Sequence, residues 1–191
     1  MQEILKDLQV LTGMSEQDYA VLRQHSTLMQ NWTDEFVNAF YDILFSYDRT
    51  LTVFPRGMDE RPDREKTLRM WYESVTNGEI DGKFWWHQWY VGLVHIKVKV
   101  SNTFMLGMTS RLQQLVLEKC VSTLDKNDAL GLYTAFKRVT DVVAGMIAEG
   151  YFVNYVESLE NVLGFNRGLI DRMMEMEIEN RMQAMQGKFR G

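Results

Sequence analysis

Proline is nearly missing from this chain: Pro55 and Pro62 are the only two among 191 residues, and both fall in one short region. Elsewhere the strongest helix breaker is absent, so the rest of the chain is free to be almost entirely helical. Cysteine is scarcer still. Cys120 stands alone, which excludes an internal disulfide, a Cys-x-x-Cys zinc or redox motif and a thioether-attached prosthetic group. A lone thiol suits a reducing compartment, and the cytoplasm is the expected location. No apolar run reaches the length of a membrane span and no signal peptide is expected, so a membrane is not among the expected partners. Basic charge is also short. The formal net charge is −5 and the acids are dispersed, so nucleic acid is not an expected partner. Glycine-rich phosphate loops, serine or cysteine nucleophile arrangements and inward carboxylate clusters are absent as well, which removes the commonest enzymatic constellations.

What is present points to helices. Hydrophobic residues make up 46% of the chain, enough for a sizeable core in one domain with an appended helix. The expected division is residues 1–164 and 165–191. Thirteen methionines, ten phenylalanines, eight tyrosines and five tryptophans are many, but bundles use such residues to fill space, so richness alone implies no cofactor.

Ile4, Leu8 and Leu11 mark a short amphipathic helix ending near Gly13. Ser15 to Asp18 opens the next helix with a capping-box pattern. Apolar residues then recur at steps of three and four through Tyr19, Leu22, Met29, Trp32, Phe36, Phe40 and Leu44, with a break expected near Asn31 to Asp34. Residues 48–62 read as one long irregular connection. Pro62, followed by Asp63 and Glu65, suits a helix's first turn, where a missing N–H costs little and acids favour the dipole. That helix should stop at Asn77-Gly78. A helix over about 83–99 follows, and Ser101 can cap the next. Asn127 or Asp128 should start a long helix ending at Gly164. A last segment carries Ile170, Met173, Met174, Ile178, Met182 and Met185 along one stripe. The fold class is all-α, with seven or eight helices expected.

Only three histidines occur, so each can be weighed. His25 lies among polar residues and reads as a surface group. His87 and His95 share a helix but stand about 80° apart around its axis and about 12 Å apart along it, so they cannot ligate one ion together. His87 sits beside Trp85, Trp86 and Trp89 and reads as structural. His95 is flanked by Val91, Leu93, Val94, Ile96 and Val98, where an unpartnered imidazole is costly. It is either a satisfied core histidine or a ligand; spacing alone leaves both open. Cys120 reads as an inert, packed thiol.

Two motifs carry a resemblance. Phe40-Tyr41-Asp42-x-Leu44 and Val91-Gly92-x-x-His95-Ile96-x-Val98, with Gly107 beyond them, resemble the globin domain of globin-coupled sensors and the related protoglobins over about residues 15–160. The chain departs from that family at Lys99, where a glycine is frequent, and at Asn102 and Phe104, which replace a proline and a tryptophan. An arginine common before the histidine is also missing, with Gln88 and Tyr90 nearby.

The resemblance implies a globin fold with an extra N-terminal helix and an appended C-terminal helix, holding haem b non-covalently through His95. It implies that Tyr41 donates a hydrogen bond to a diatomic gas on the iron, with Thr67 assisting. The cofactor pocket would be lined by Phe54, Leu68, Trp71, Val94, Val98, Phe104 and Met108. Leu68 stands where some relatives offer a second histidine. The implied function is binding of O₂, NO or CO, as a sensor or carrier. Relatives dimerise through helices that correspond here to 102–122 and 128–160, and a sensor with no further module would pass its signal to a separate partner. The alternative is a haem enzyme, such as a nitric oxide dioxygenase or a peroxidase, although no reductase domain and no distal histidine–arginine pair is visible. More remote is a haem-free globin-like signalling module, since fold does not fix function.

Overall fold

A computed structural model describes residues 1–164 and 166–189, with side chains as far as Gln186. Among the described residues every regular element is a helix. The chain divides into two compact units, Met1–Tyr151 and Phe152–Gly191, and the division falls inside one long helix.

In the first unit, α1 (Gln2–Thr12) ends at Gly13, whose φ of 71° places it in the left-handed region that closes a helix. Leu8 of α1 rests on Gly145, where an added Cβ would meet its Cδ2 at 2.6 Å. The capping box opens α2 (Glu16–Gln24), with the Ser15 amide donating to Asp18 Oδ2 at 2.7 Å. Asp18 is buried and also receives Arg138 at 3.3 Å, so one carboxylate both starts a helix and ties it to the far end of the chain.

The helical stretch that follows breaks twice, giving α3 (Ser26–Gln30) and α4 (Thr33–Ser46). The second break lies where it is expected; the first, at His25, is not legible in the apolar pattern. There the imidazole Nδ1 lies 3.0 Å from the Val21 carbonyl, competing with the backbone for that acceptor.

The connection over 48–62 is also more ordered than its prolines suggest. It contains α5 (Asp48–Leu51) and a 3₁₀ turn, Gly57–Glu60. Side chains impose this order. The Thr50 hydroxyl donates to the Leu44 and Tyr47 carbonyls, and Glu60 accepts the Arg56 amide at 3.0 Å.

Pro62 lies in the first turn of α6 (Arg61–Thr76), which stops before Gly78 at φ 60°. A Cβ at Gly78 would stand 2.5 Å from the Tyr19 carbonyl, so both its conformation and its neighbour require glycine. Asp81 accepts the Phe84 amide at 2.8 Å and starts α7 (Gly82–Val98). Ser101 caps α8 (Asn102–Thr123). The long α9 (Lys126–Leu163) is capped by Asp125, whose Oδ1 accepts the Asn127 and Asp128 amides at 2.9 and 3.1 Å. The residues expected to start that helix are thus the donors, not the cap.

Packing of α4, α6 and α9 makes the centre of the core. Phe36, Tyr72 and Phe136 meet there, with centroids 4.0 Å apart for Phe36–Tyr72 and 6.4 Å for each of the other two pairs. The buried Tyr72 hydroxyl donates to the Met29 carbonyl at 3.0 Å, which meets the requirement that a buried donor be paired. Burial likewise pushes the Cys120 thiol up to about 11, so it is protonated and unreactive at neutral pH.

One crossing fixes α7. At Gly92 an added Cβ would lie 2.5 Å from the Tyr151 amide nitrogen and 2.6 Å from the Ile147 carbonyl oxygen of α9. At Gly150 it would lie 2.7 Å from the Trp89 carbonyl oxygen. The two helices therefore touch main chain to main chain, and glycine on both sides is what lets them.

In the second unit, α9 ends at Gly164 with φ 69°, and α10 runs over Arg167–Phe189. Asn166 accepts the Leu169 amide at 2.9 Å, and Arg167 pairs with Glu160 and Asp171. Met173, Met174, Ile178, Met182 and Met185 are exposed along α10.

Candidate functional site

His95 lies in the last turn of α7, one turn beyond the Gly92 crossing, so the crossing sets its height against α9. It is half-buried, and its two ring nitrogens differ. Nδ1 is enclosed by protein and has no hydrogen-bond partner, whereas Nε2 is not closed off in this way. Burial lowers the imidazole below its ordinary 6.5, so it is neutral at pH 7 and keeps the lone pair that a metal requires. Of the two readings open from sequence, a satisfied core histidine does not describe this ring.

His25 and His87 offer no comparable donor: the first is engaged with Val21, and the second is exposed beside Tyr90 rather than packed among the tryptophans. Among the described residues no group of three or more His, Cys, Asp or Glu could hold a metal ion.

Tyr41 is buried on α4, the helix that packs most closely on α6. α7 meets α9 at the Gly92 crossing. Desolvation raises the Tyr41 phenol well above its ordinary value, while the Arg64 charge acts the other way. The hydroxyl is therefore a proton donor throughout the physiological range.

Phe45 joins Tyr41 to Phe54, with centroids 6.2 and 4.7 Å apart, so these two expected pocket residues belong to one aromatic row. Leu68 and Trp71 on α6 and Val94 and Val98 on α7 are half-buried. Thr67 is exposed, and its hydroxyl donates back to the Asp63 carbonyl at 3.1 Å. Phe104 and Met108 line a groove of about 390 Å³ between α4 and α8, together with Ile43, Leu44, Tyr47 and Arg111; neither His95 nor Tyr41 lines it.

Arg64 and Glu60 went unread in the sequence. Glu60 is buried, accepts the Arg56 amide, and holds Arg64 at 2.8 Å. These bonds, the backbone one foremost, keep its carboxyl below the ordinary range. The only available signal was their spacing of four ahead of Leu68, which elsewhere marks a solvated helix face. A second arginine, Arg61, bridges Asp42 on α4 at 2.8 Å and Glu65 on its own helix, and lies 5.9 Å over Phe45.

The Protoglobin family model matches residues 1–157. The chain belongs to the protoglobin family. Among solved structures, this protoglobin matches the globin domain of the Geobacter sulfurreducens globin-coupled sensor with a TM-score of 0.67 and 15% identity, over 76% of this chain and 96% of that domain. At that identity the match bears on the fold, which is a globin fold with α1 before it and α10 after it. None of the curated proteins matches this protoglobin in sequence. Among the described residues no helix is long and apolar enough to cross a membrane.

The residues present fit a haem. A neutral imidazole whose Nδ1 has no partner in the protein is the kind of donor such a group needs.

Proposed function

We propose that this protoglobin binds haem b non-covalently through His95 and uses it to bind a diatomic gas, O₂, NO or CO, as a sensor or carrier. The observation that carries the reading is the state of the His95 ring, which burial keeps neutral and which is partnerless at Nδ1. Haem supplies an iron centre with a coordination position for the gas. The rest is the chain's work. His95 contributes a neutral nitrogen donor, which favours reversible binding over O–O cleavage. Tyr41, protonated and buried, donates a hydrogen bond to the gas, and Thr67 assists by turning its hydroxyl from the Asp63 carbonyl it now donates to. Leu68, Trp71, Val94, Val98 and Phe54 would exclude water from the cofactor, and Phe104 and Met108, which line the α4–α8 groove, would close its α8 side. Binding rather than turnover is the proposal.

The globin part is residues 1–164 and the appended part residues 165–191, and α10 is the element we assign to a separate signalling partner. A homodimer through α8 and α9 has apolar side chains to bury, since Leu117, Val121 and Leu130 are exposed. The buried lone thiol suits the cytoplasm.

The test is a visible spectrum of the haem-reconstituted protein, recorded ferric, then reduced, then with CO and O₂. A sharp Soret band that shifts with each gas in the wild type, and is lost in His95→Ala, is the expected result. A protein that stays colourless, or a His95→Ala variant with an unchanged spectrum, overturns the reading.

A further inference from the structure

An imidazole that gives Nε2 to a metal carries its proton on Nδ1. That proton needs an acceptor, because the acceptor fixes the tautomer and the angle of the ring. His95 Nδ1 has none in the structure. Within the unit Met1–Tyr151, one other buried side-chain polar atom lacks a partner, and it is an acceptor: Asn102 Oδ1.

The two stand at either end of the short turn that joins α7 to α8. Lys99 takes a left-handed conformation there, φ 60°, and the Val100 amide donates back to the His95 carbonyl at 2.9 Å. The chain thus folds onto the main chain of His95 itself before α8 begins at Asn102. A donor without an acceptor and an acceptor without a donor, each closed off from water, flank one tight turn. Each is costly alone.

We propose that Asn102 is the positioning residue for His95: its carboxamide oxygen accepts the hydrogen bond from Nδ1–H and sets the orientation of the ring. The proposal rests on the haem reading above. The two atoms are not bonded to each other in the structure, so pairing takes a rotation of one or both side chains between staggered positions. The same rotation satisfies both orphaned groups. A neutral amide draws less on the imidazole proton than a carboxylate does, so the ring stays a modest donor, as reversible gas binding requires.

The experiment compares reconstituted wild type, Asn102→Leu and Asn102→Asp. The iron–histidine stretching band of the ferrous protein is read by resonance Raman, and haem loss is followed with an apoglobin acceptor in excess. Asn102→Leu should lower the band frequency and speed haem loss by roughly 10–100-fold, the usual weight of such an outer partner. Asn102→Asp should raise the frequency, because a carboxylate pulls the Nδ1 proton and strengthens donation from Nε2. If Asn102→Leu does not fold, the isosteric Asn102→Asp decides alone. A band at one frequency in every variant that folds, with haem retained, overturns the inference and leaves the haem reading intact. A His95→Gly variant that keeps the wild-type band overturns both.

Discussion

Replacing Gly92 with alanine adds one methyl group at the closest approach of α7 and α9. The new carbon would sit 2.5 Å from the Tyr151 nitrogen, 2.6 Å from the Ile147 oxygen and 2.8 Å from the Gly150 carbonyl carbon. Ordinary carbon contacts lie at about 3.5–4.0 Å, so α7 must withdraw by roughly 1 Å. All three neighbours are main-chain atoms of a helix, and no side chain can rotate away. Overpacking of this kind costs about 1–3 kcal/mol, against which alanine returns up to about 1 kcal/mol of helix propensity. The net loss is about 1–2 kcal/mol, and at this size each kcal/mol lowers Tm by roughly 2–4 °C.

The control is Gly131→Ala. It also lies inside a helix, but nothing approaches its added Cβ within 4 Å. Propensity acts alone there and should stabilise by up to about 1 kcal/mol. Urea and thermal melts followed by circular dichroism should therefore move in opposite directions for two chemically identical changes. If both variants gain stability, α7 and α9 do not touch through their backbones and the reasoning is wrong.

Three further outcomes can be measured. Tyr41→Phe should speed O₂ release far more than CO release, since a hydrogen bond to the more polarised gas is worth on the order of 1–3 kcal/mol; stopped-flow rates equal for both gases would end the donor role. In haem-free protein, burial holds folded His95 below 6.5, so between that lowered value and 6.5 the unfolded chain binds more proton. Stability should thus rise with pH across that window and level off above it, and His95→Gln should flatten this part of the slope in urea titrations; an unaltered slope would show that His95 is not the group responsible. Lys99→Gly should stabilise by about 1 kcal/mol, because Lys99 is the one non-glycine residue at positive φ among those described, at 60°; an unchanged or lower Tm would contradict this.

Much of the helical framework was legible because its punctuation is local. Ser15 with Asp18, Pro62, Asn77-Gly78 and Ser101 each act within one turn, so spacing along the chain was enough. The break at His25 and the order within 48–62 were not legible, because a few side-chain hydrogen bonds, made by His25 and Thr50 and accepted by Glu60, accompany them without disturbing any apolar period. Of the site, the apolar setting of His95 showed in its neighbours, whereas the apolar step ran through Phe40 and it is Tyr41 that is buried. The inequality of the His95 nitrogens, the arginine held beside Tyr41 and the orphaned Asn102 depend on which helix meets which. Lys99 lies between these cases. The glycine frequent in relatives marks a left-handed turn, and the structure shows the same turn made by lysine at a cost.

The glycine crossing also bears on how this chain tolerates change. Contact between α7 and α9 at Gly92 and Gly150 is made by main-chain atoms, which every amino acid shares. Substitutions elsewhere on α9 can repack the core while leaving the level of His95 where it is. At Gly92 and Gly150, by contrast, even the smallest added side chain would meet main chain at 2.5 and 2.7 Å. Drift in the surrounding sequence and constancy of the ligand are thereby separated by the backbone itself.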